Sequence, residues 1–138
     1  MALAIGFVLV ALVGAAHNYG LLLIRWITPG VDSRPQAAII GVFTGLLALH
    51  SAEILAFAGA YHLLLQMDWI GSLAANPGET WRGLIYFSGI NFVTLGYTQI
   101  DAYGPIRMVA MMQSLGGFML LTWSATFLYT VCHRAWED

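Results

Sequence analysis

From Met1 to Ile24 the chain carries no Asp, Glu, Lys or Arg. Between Gln36 and Met67 it carries one, Glu53, and between Gly104 and His133 one, Arg107. A helix rises about 1.5 Å per residue, so each run can cross a hydrocarbon core about 30 Å thick. Charged residues are 9% of the 138 and hydrophobic residues 59%, whereas a soluble domain carries about 25% charge. The pattern argues against a soluble enzyme and predicts a small membrane protein with three spanning helices. Lys is absent and the Arg residues are scattered, which leaves no basic run for nucleic acid. The one cysteine, Cys132, can form neither an internal disulfide nor a multi-cysteine metal site.

The first span is predicted from Ala2 to Ile27, interrupted by His17-Asn18-Tyr19 and closed by Pro29-Gly30. Gly14-Ala15-Ala16 could pass for a signal cleavage site. However, the start lacks Lys and Arg and the apolar stretch continues to Ile24, so a retained helix is the reading. Residues 1–34 then form an N-terminal helix and a short loop. The second span is predicted over 35–67, with Pro35 suited to a first helical turn. The third is predicted over 105–131. Gly116-Gly117 lies near its middle and fits either a gating hinge or close helix packing. Thr122, Ser124, Thr126 and Thr130 can hydrate a cavity or bond their own helix.

Glu53 is the one carboxylate predicted at mid-membrane depth, where ionisation is costly without a partner or water. His50 precedes it by one helical turn, on the same face. His62 falls on the opposite face. The His50-x-x-Glu53 pair reads as a proton relay, a metal-ligand pair or an ion site. The preferred reading is hydrogen-bonded glue to a neighbouring helix through His17 or Asn18, since polar groups inside membranes commonly serve that way.

Between the second and third spans, Asn76-Pro77-Gly78 signals a turn, and Glu79 and Thr80 suit a helix start. The apolar stretch that follows, a helix over 80–93, spans about 20 Å and is too short to cross. Thr94-Leu95-Gly96-Tyr97-Thr98 then breaks the helix. Irregular backbone survives at membrane depth only where protein buries it or water lines it. A half-helix followed by such a segment is a pore-loop pattern. The helix C-terminus, partially negative, favours a cation where the segment begins.

Tyr86-Phe87-Ser88 through Thr94-Leu95-Gly96-Tyr97, with Ile100, Pro105 and Arg107, resembles the pore loop of tetrameric potassium channels. With His50-x-x-Glu53-Ile54, the chain is similar to the small bacterial two-transmembrane potassium-channel-type family. The resemblance covers about residues 36 to 131. It implies a pore domain over 35–138: outer helix 35–67, re-entrant pore helix 80–93, filter 94–98 and inner helix 105–131, with the first helix extra. It implies an all-α membrane protein whose four identical copies surround one pore. Backbone carbonyls of Thr94, Leu95, Gly96 and Tyr97 would ring potassium or another cation in place of its water, and the Thr94 hydroxyl would close the inner end. Leu95 and Tyr97 would pack on the pore helix. The implied setting is a cell membrane, plasma or inner, with the N-terminus outside and the C-terminus cytoplasmic. Arg25, Arg34 and Arg134 inside against Arg82 and Arg107 outside agree with the positive-inside rule.

The chain departs from the family at the outer end of the filter. Thr98 stands where Gly is usual and Gln99 where Asp is usual, while Asp101 can supply a displaced acidic ring at the outer mouth. Asn91 and Val93 replace threonines. A β-branched residue tolerates positive φ poorly, so Thr98 is not expected to keep the family geometry. The expected function is passive conduction of monovalent cations, with selectivity open to relaxation toward Na+ or Ca2+. No cofactor beyond permeant cations is expected. The expected partners are lipid and other copies of the chain. The competing readings are a membrane haem or metal electron-transfer protein using His17, His50 and His62, or a structural subunit with a degenerate pore.

Overall fold

The computed structural model describes residues 1–74, 80–95 and 100–137. Among the described residues, three helices are long and apolar enough to cross a membrane: α1 (Ala2–Ile27), α2 (Pro35–Leu64) and, after the loop segment, a last helix at Ile106–Trp136. Within the loop lie β1 (Ser72–Ala74), the short helix α3 (Trp81–Phe92) and β2 (Asp101–Tyr103), so the last helix is α4. The architecture is that of an all-α membrane protein.

Two helix ends differ from expectation. α2 stops at Leu64 rather than Met67, because its last turn tightens: Gln66 and Met67 N–H groups bond the carbonyls of Leu63 and Leu64, three residues back. α4 continues past residue 131 to Trp136. His133 and Arg134 in its last turn complement the negative helix end. Arg134 also grips Asp32 of the α1–α2 loop through both carboxylate oxygens, at 3.1 and 2.6 Å.

Glycines set the helix contacts. α1 runs alongside α4 in the same direction, with Gly6 against Val109 and Met112, and Gly116 against Val10. It meets α2 at Gly20 against Leu49 and at Gly45 against Ile24. Small residues bring backbones close where the bilayer offers no hydrophobic drive between helices. One apolar core joins Phe57, Tyr61, Leu84, Phe87, Phe92, Ile106 and Val109 of α2, α3 and α4. A second joins Leu21, Ile24, Val42 and Leu46 near the other end of the bundle. Large apolar side chains such as Phe7, Leu12, Trp26, Phe43, Leu47 and Phe118 stand outward, as lipid or further copies of the chain would require.

The strand pairing is not foreseen in the sequence. β1 and β2 are antiparallel, with Leu73 opposite Ala102, and Ile106 N–H bonds the Ile70 carbonyl at 2.8 Å. Gly71 (φ +106°) and Gly104 (φ +83°) flank the pair. A Cβ on Gly71 would run into the Tyr103 carbonyl, so close approach and left-handed backbone both require glycine there.

Candidate functional site

α3 begins at Trp81 and is capped by Thr80, whose hydroxyl accepts the Gly83 N–H at 3.2 Å. It has 12 residues, about 18 Å at about 1.5 Å per residue, and enters the bundle between α2 and α4 without crossing it. Three buried side chains fix it there. The Ser88 hydroxyl donates to the Ile54 carbonyl of α2 at 2.8 Å. The Gln113 amide of α4 donates to the Ser88 carbonyl and hydroxyl at 3.1 and 2.8 Å. Tyr61 of α2 donates to Gln113 Oε1 at 2.6 Å. Tyr61 and Gln113 were not singled out in the sequence. The usable signal was an amide in the middle of an apolar span, where an unpaired polar group is costly.

α3 ends in a Schellman motif. The Thr94 N–H bonds the Asn91 carbonyl at 3.1 Å and the Leu95 N–H bonds the Ile90 carbonyl at 3.2 Å. Thr94 occupies the left-handed position of that motif, at φ +55°, where glycine is usual. Asn91 turns its side-chain amide back to the Phe87 carbonyl of its own helix, at 2.9 Å. Leu95 is 66% exposed in the single chain. Its backbone N–H stays bonded to α3 while its side chain is left uncovered within one chain. Gly96, Tyr97, Thr98 and Gln99 lie outside the described residues, as do Asn76, Pro77, Gly78 and Glu79. Asp101 is exposed at the start of β2. It shares an open cavity of about 530 Å³ with Asn91, Arg107, Met111 and Ser114.

Gly117 of α4 sits against the backbone of Phe92, the last residue of α3; a Cβ there would strike the Phe92 carbonyl. Both Gly116 and Gly117 lie inside unbroken helix and make close contacts. Thr122, Thr126 and Thr130 bond carbonyls of their own helix, whereas Ser124 turns inward.

At the level where α1, α2 and α4 meet, one carboxylate gathers two imidazoles. His17 Nδ1 lies 2.7 Å from Glu53 Oε1, and His50 Nδ1 lies 2.8 Å from Glu53 Oε2. His17 and Glu53 are buried; His50 is partly buried. Ser124 Oγ lies 3.3 Å from His17 Nε2. The two imidazoles stack at 5.6 Å, and His50 also leans on Phe92 at 5.6 Å. Asn18 is exposed and outside this group. His62 is not part of it either: it stacks on Trp81 at 4.8 Å, beside the start of α3. The structure therefore brings together two histidines of the haem reading, His17 and His50, and sets His62 apart from them.

A short helix that enters between spanning helices and stops inside them is the architecture of a pore-loop protein. The family model described as ion channel matches residues 49–134, more than half of the chain and all of α3, β2 and most of α4. The chain belongs to this ion channel family. No curated protein and no solved structure matches it.

Proposed function

We propose that four copies of this chain surround one pore and conduct monovalent cations passively, with selectivity relaxed toward Na+ or Ca2+. The observation that carries this reading is the end of α3. Its C-terminus, with partially negative carbonyls, stops inside the bundle, and Thr94 turns the chain off the helix at once. One strand cannot ring an ion, so the carbonyls of Thr94, Leu95, Gly96 and Tyr97 act only when several copies bring them together. The exposure of Leu95 agrees with a neighbouring copy covering it. So does the outward stripe of Met111, Leu115, Phe118, Thr122 and Tyr129 on α4.

Thr98 and Gln99 alter the outer filter sites, and Asp101 supplies the acidic ring at the mouth. The N-terminus faces outward and the C-terminus the cytoplasm, placing the Asp32–Arg134 pair inside the cell. A bend at Gly116-Gly117 is the candidate gating motion, and it must disturb the Gly117–Phe92 contact at the base of the filter.

The test is flux of K+, Na+ and Ca2+ into liposomes holding only this chain, for wild type and for Thr98→Gly with Gln99→Asp. The expected result is flux in the wild type and a shift toward K+ in the double variant. A wild-type K+ over Na+ permeability ratio above about 100, worth about 1.4 kcal/mol per tenfold, would overturn relaxed selectivity. Absence of flux in correctly assembled protein would favour a structural subunit with a degenerate pore.

A further inference from the structure

We propose that His17, His50 and Glu53 form a binding site for one divalent transition-metal ion of the zinc class, inside the membrane part of each chain. The site is built from residues of a single chain and does not depend on the channel reading.

The first support is convergence. One ligand atom from each of the three residues lies within 4.8 Å of the other two, although the residues come from two helices. Both imidazoles present the same atom, Nδ1, and each takes a different oxygen of the one carboxylate. Around an ion with bonds of about 2.0–2.2 Å, tetrahedral ligand atoms stand roughly 3.4 Å apart. The hydrogen-bonded separations of 2.7 and 2.8 Å need to open by only a fraction of an ångström to admit it.

The second support is charge. With both imidazoles neutral, the cluster carries one net negative charge on a buried carboxylate in the membrane part of the chain. Its side-chain hydrogen-bond partners among the described residues are these two histidines. A cation relieves that burial.

The third is the second layer of contacts. Ser124 of α4 holds the far nitrogen of His17 at 3.3 Å, the arrangement that orients a metal-bound imidazole. When a metal occupies Nδ1, the imidazole proton sits on Nε2 and Ser124 Oγ accepts it; the hydroxyl serves either role. Each imidazole only exchanges one tautomer for the other, so no net proton is released.

The donor set decides the class of ion. Two imidazole nitrogens and one carboxylate oxygen suit zinc and its neighbours, whereas Ca2+ and Mg2+ prefer all-oxygen sites. Three protein ligands leave a fourth position open. The His50 side chain is 15% exposed against 0% for His17, so entry is from the His50 side, next to Phe92. A bound ion would clamp α1 to α2 and stiffen the wall against which α3 ends. That gives the extra first helix a ligand-dependent connection to the pore segment.

The test uses full-length, tag-free protein in detergent or nanodiscs, equilibrated with Zn2+ or Co2+ and dialysed. Elemental analysis is expected to give one ion per chain, and Co2+ to show the visible ligand-field bands of a four-coordinate site. X-ray absorption of the zinc form is expected to show two imidazoles in the first shell. His17→Gln, His50→Gln and Glu53→Gln are each expected to weaken binding by about 100-fold or more, beyond the roughly 10- to 100-fold loss typical of outer-layer contacts. His62→Gln and His133→Gln are expected to bind as wild type. Folded wild type that retains no ion after equilibration overturns the proposal. So does a zinc spectrum without two imidazoles, which needs no variant, and so does unchanged binding in folded Glu53→Gln.

Discussion

Gly117 of α4 lies against the carbonyl of Phe92, with no room for a Cβ between them. The last residue of the short helix and the middle of the last spanning helix therefore touch backbone to backbone. Gly117→Ala is expected to push the end of α3 away from α4, because a carbonyl cannot rotate aside as a side chain can. Overpacking of this kind costs about 1–3 kcal/mol, and ion flux is expected to fall with it. Gly116→Ala meets Val10, a side chain, and is expected to cost less. Thermal unfolding in detergent and liposome flux, run on both variants, check the order; equal effects would contradict it.

Removing the Tyr61 hydroxyl isolates a buried amide oxygen. In Tyr61→Phe, Gln113 Oε1 loses its 2.6 Å partner, at an expected cost of about 1–3 kcal/mol. Gln113→Leu strands the Tyr61 hydroxyl and frees Ser88. The pair is expected to be non-additive, with the double variant milder than the sum of the singles. A double-mutant cycle of unfolding free energies measures this.

Thr94 holds a backbone conformation that β-branched residues seldom adopt. Thr94→Gly is expected to stabilise the chain by up to about 1 kcal/mol, the range in which backbone relief and unfolded-state entropy compete. Permeability ratios are expected to change as well, since the Thr94 hydroxyl belongs to the proposed filter. A melting temperature that drops in Thr94→Gly would show that its side chain makes a contact worth more than the strain.

The Asp32–Arg134 pair joins the α1–α2 loop to the end of α4, but both side chains are largely exposed. Water and salt screen such pairs. Arg134→Gln is therefore expected to change stability by less than about 1 kcal/mol, and raised salt is expected to erase the difference. A large loss that persists in high salt would mean the pair is shielded by another copy of the chain.

The spans were legible because a membrane converts charge-free length into structure. The same rule exposed α3, which is apolar yet too short. The His50–Glu53 pairing was legible because one helical turn separates the residues. The choice of His17 over Asn18 was not: the residues lie on adjacent positions of α1, and only the packing of α1 on α2 decides which faces Glu53. Tyr61 and Gln113, 52 residues apart, meet through three-helix geometry that no local pattern encodes. β1 and β2 are three residues each, too short for alternation to register. The end of α3 was read as a break, but its form was not, since nothing marks Thr94 as the residue that turns left-handed.

The bond from Ile106 N–H to the Ile70 carbonyl joins the point where the chain leaves α2 to the point where it enters α4. Everything between them departs from and returns to one hinge, like a drawer in a frame. Within it, α3 is fastened to both sides of the frame, to Ile54 of α2 and to Gln113 of α4. The spacing of α2 and α4 is therefore set at two levels, at that hinge and at Gln113, which Tyr61 of α2 holds from across the bundle.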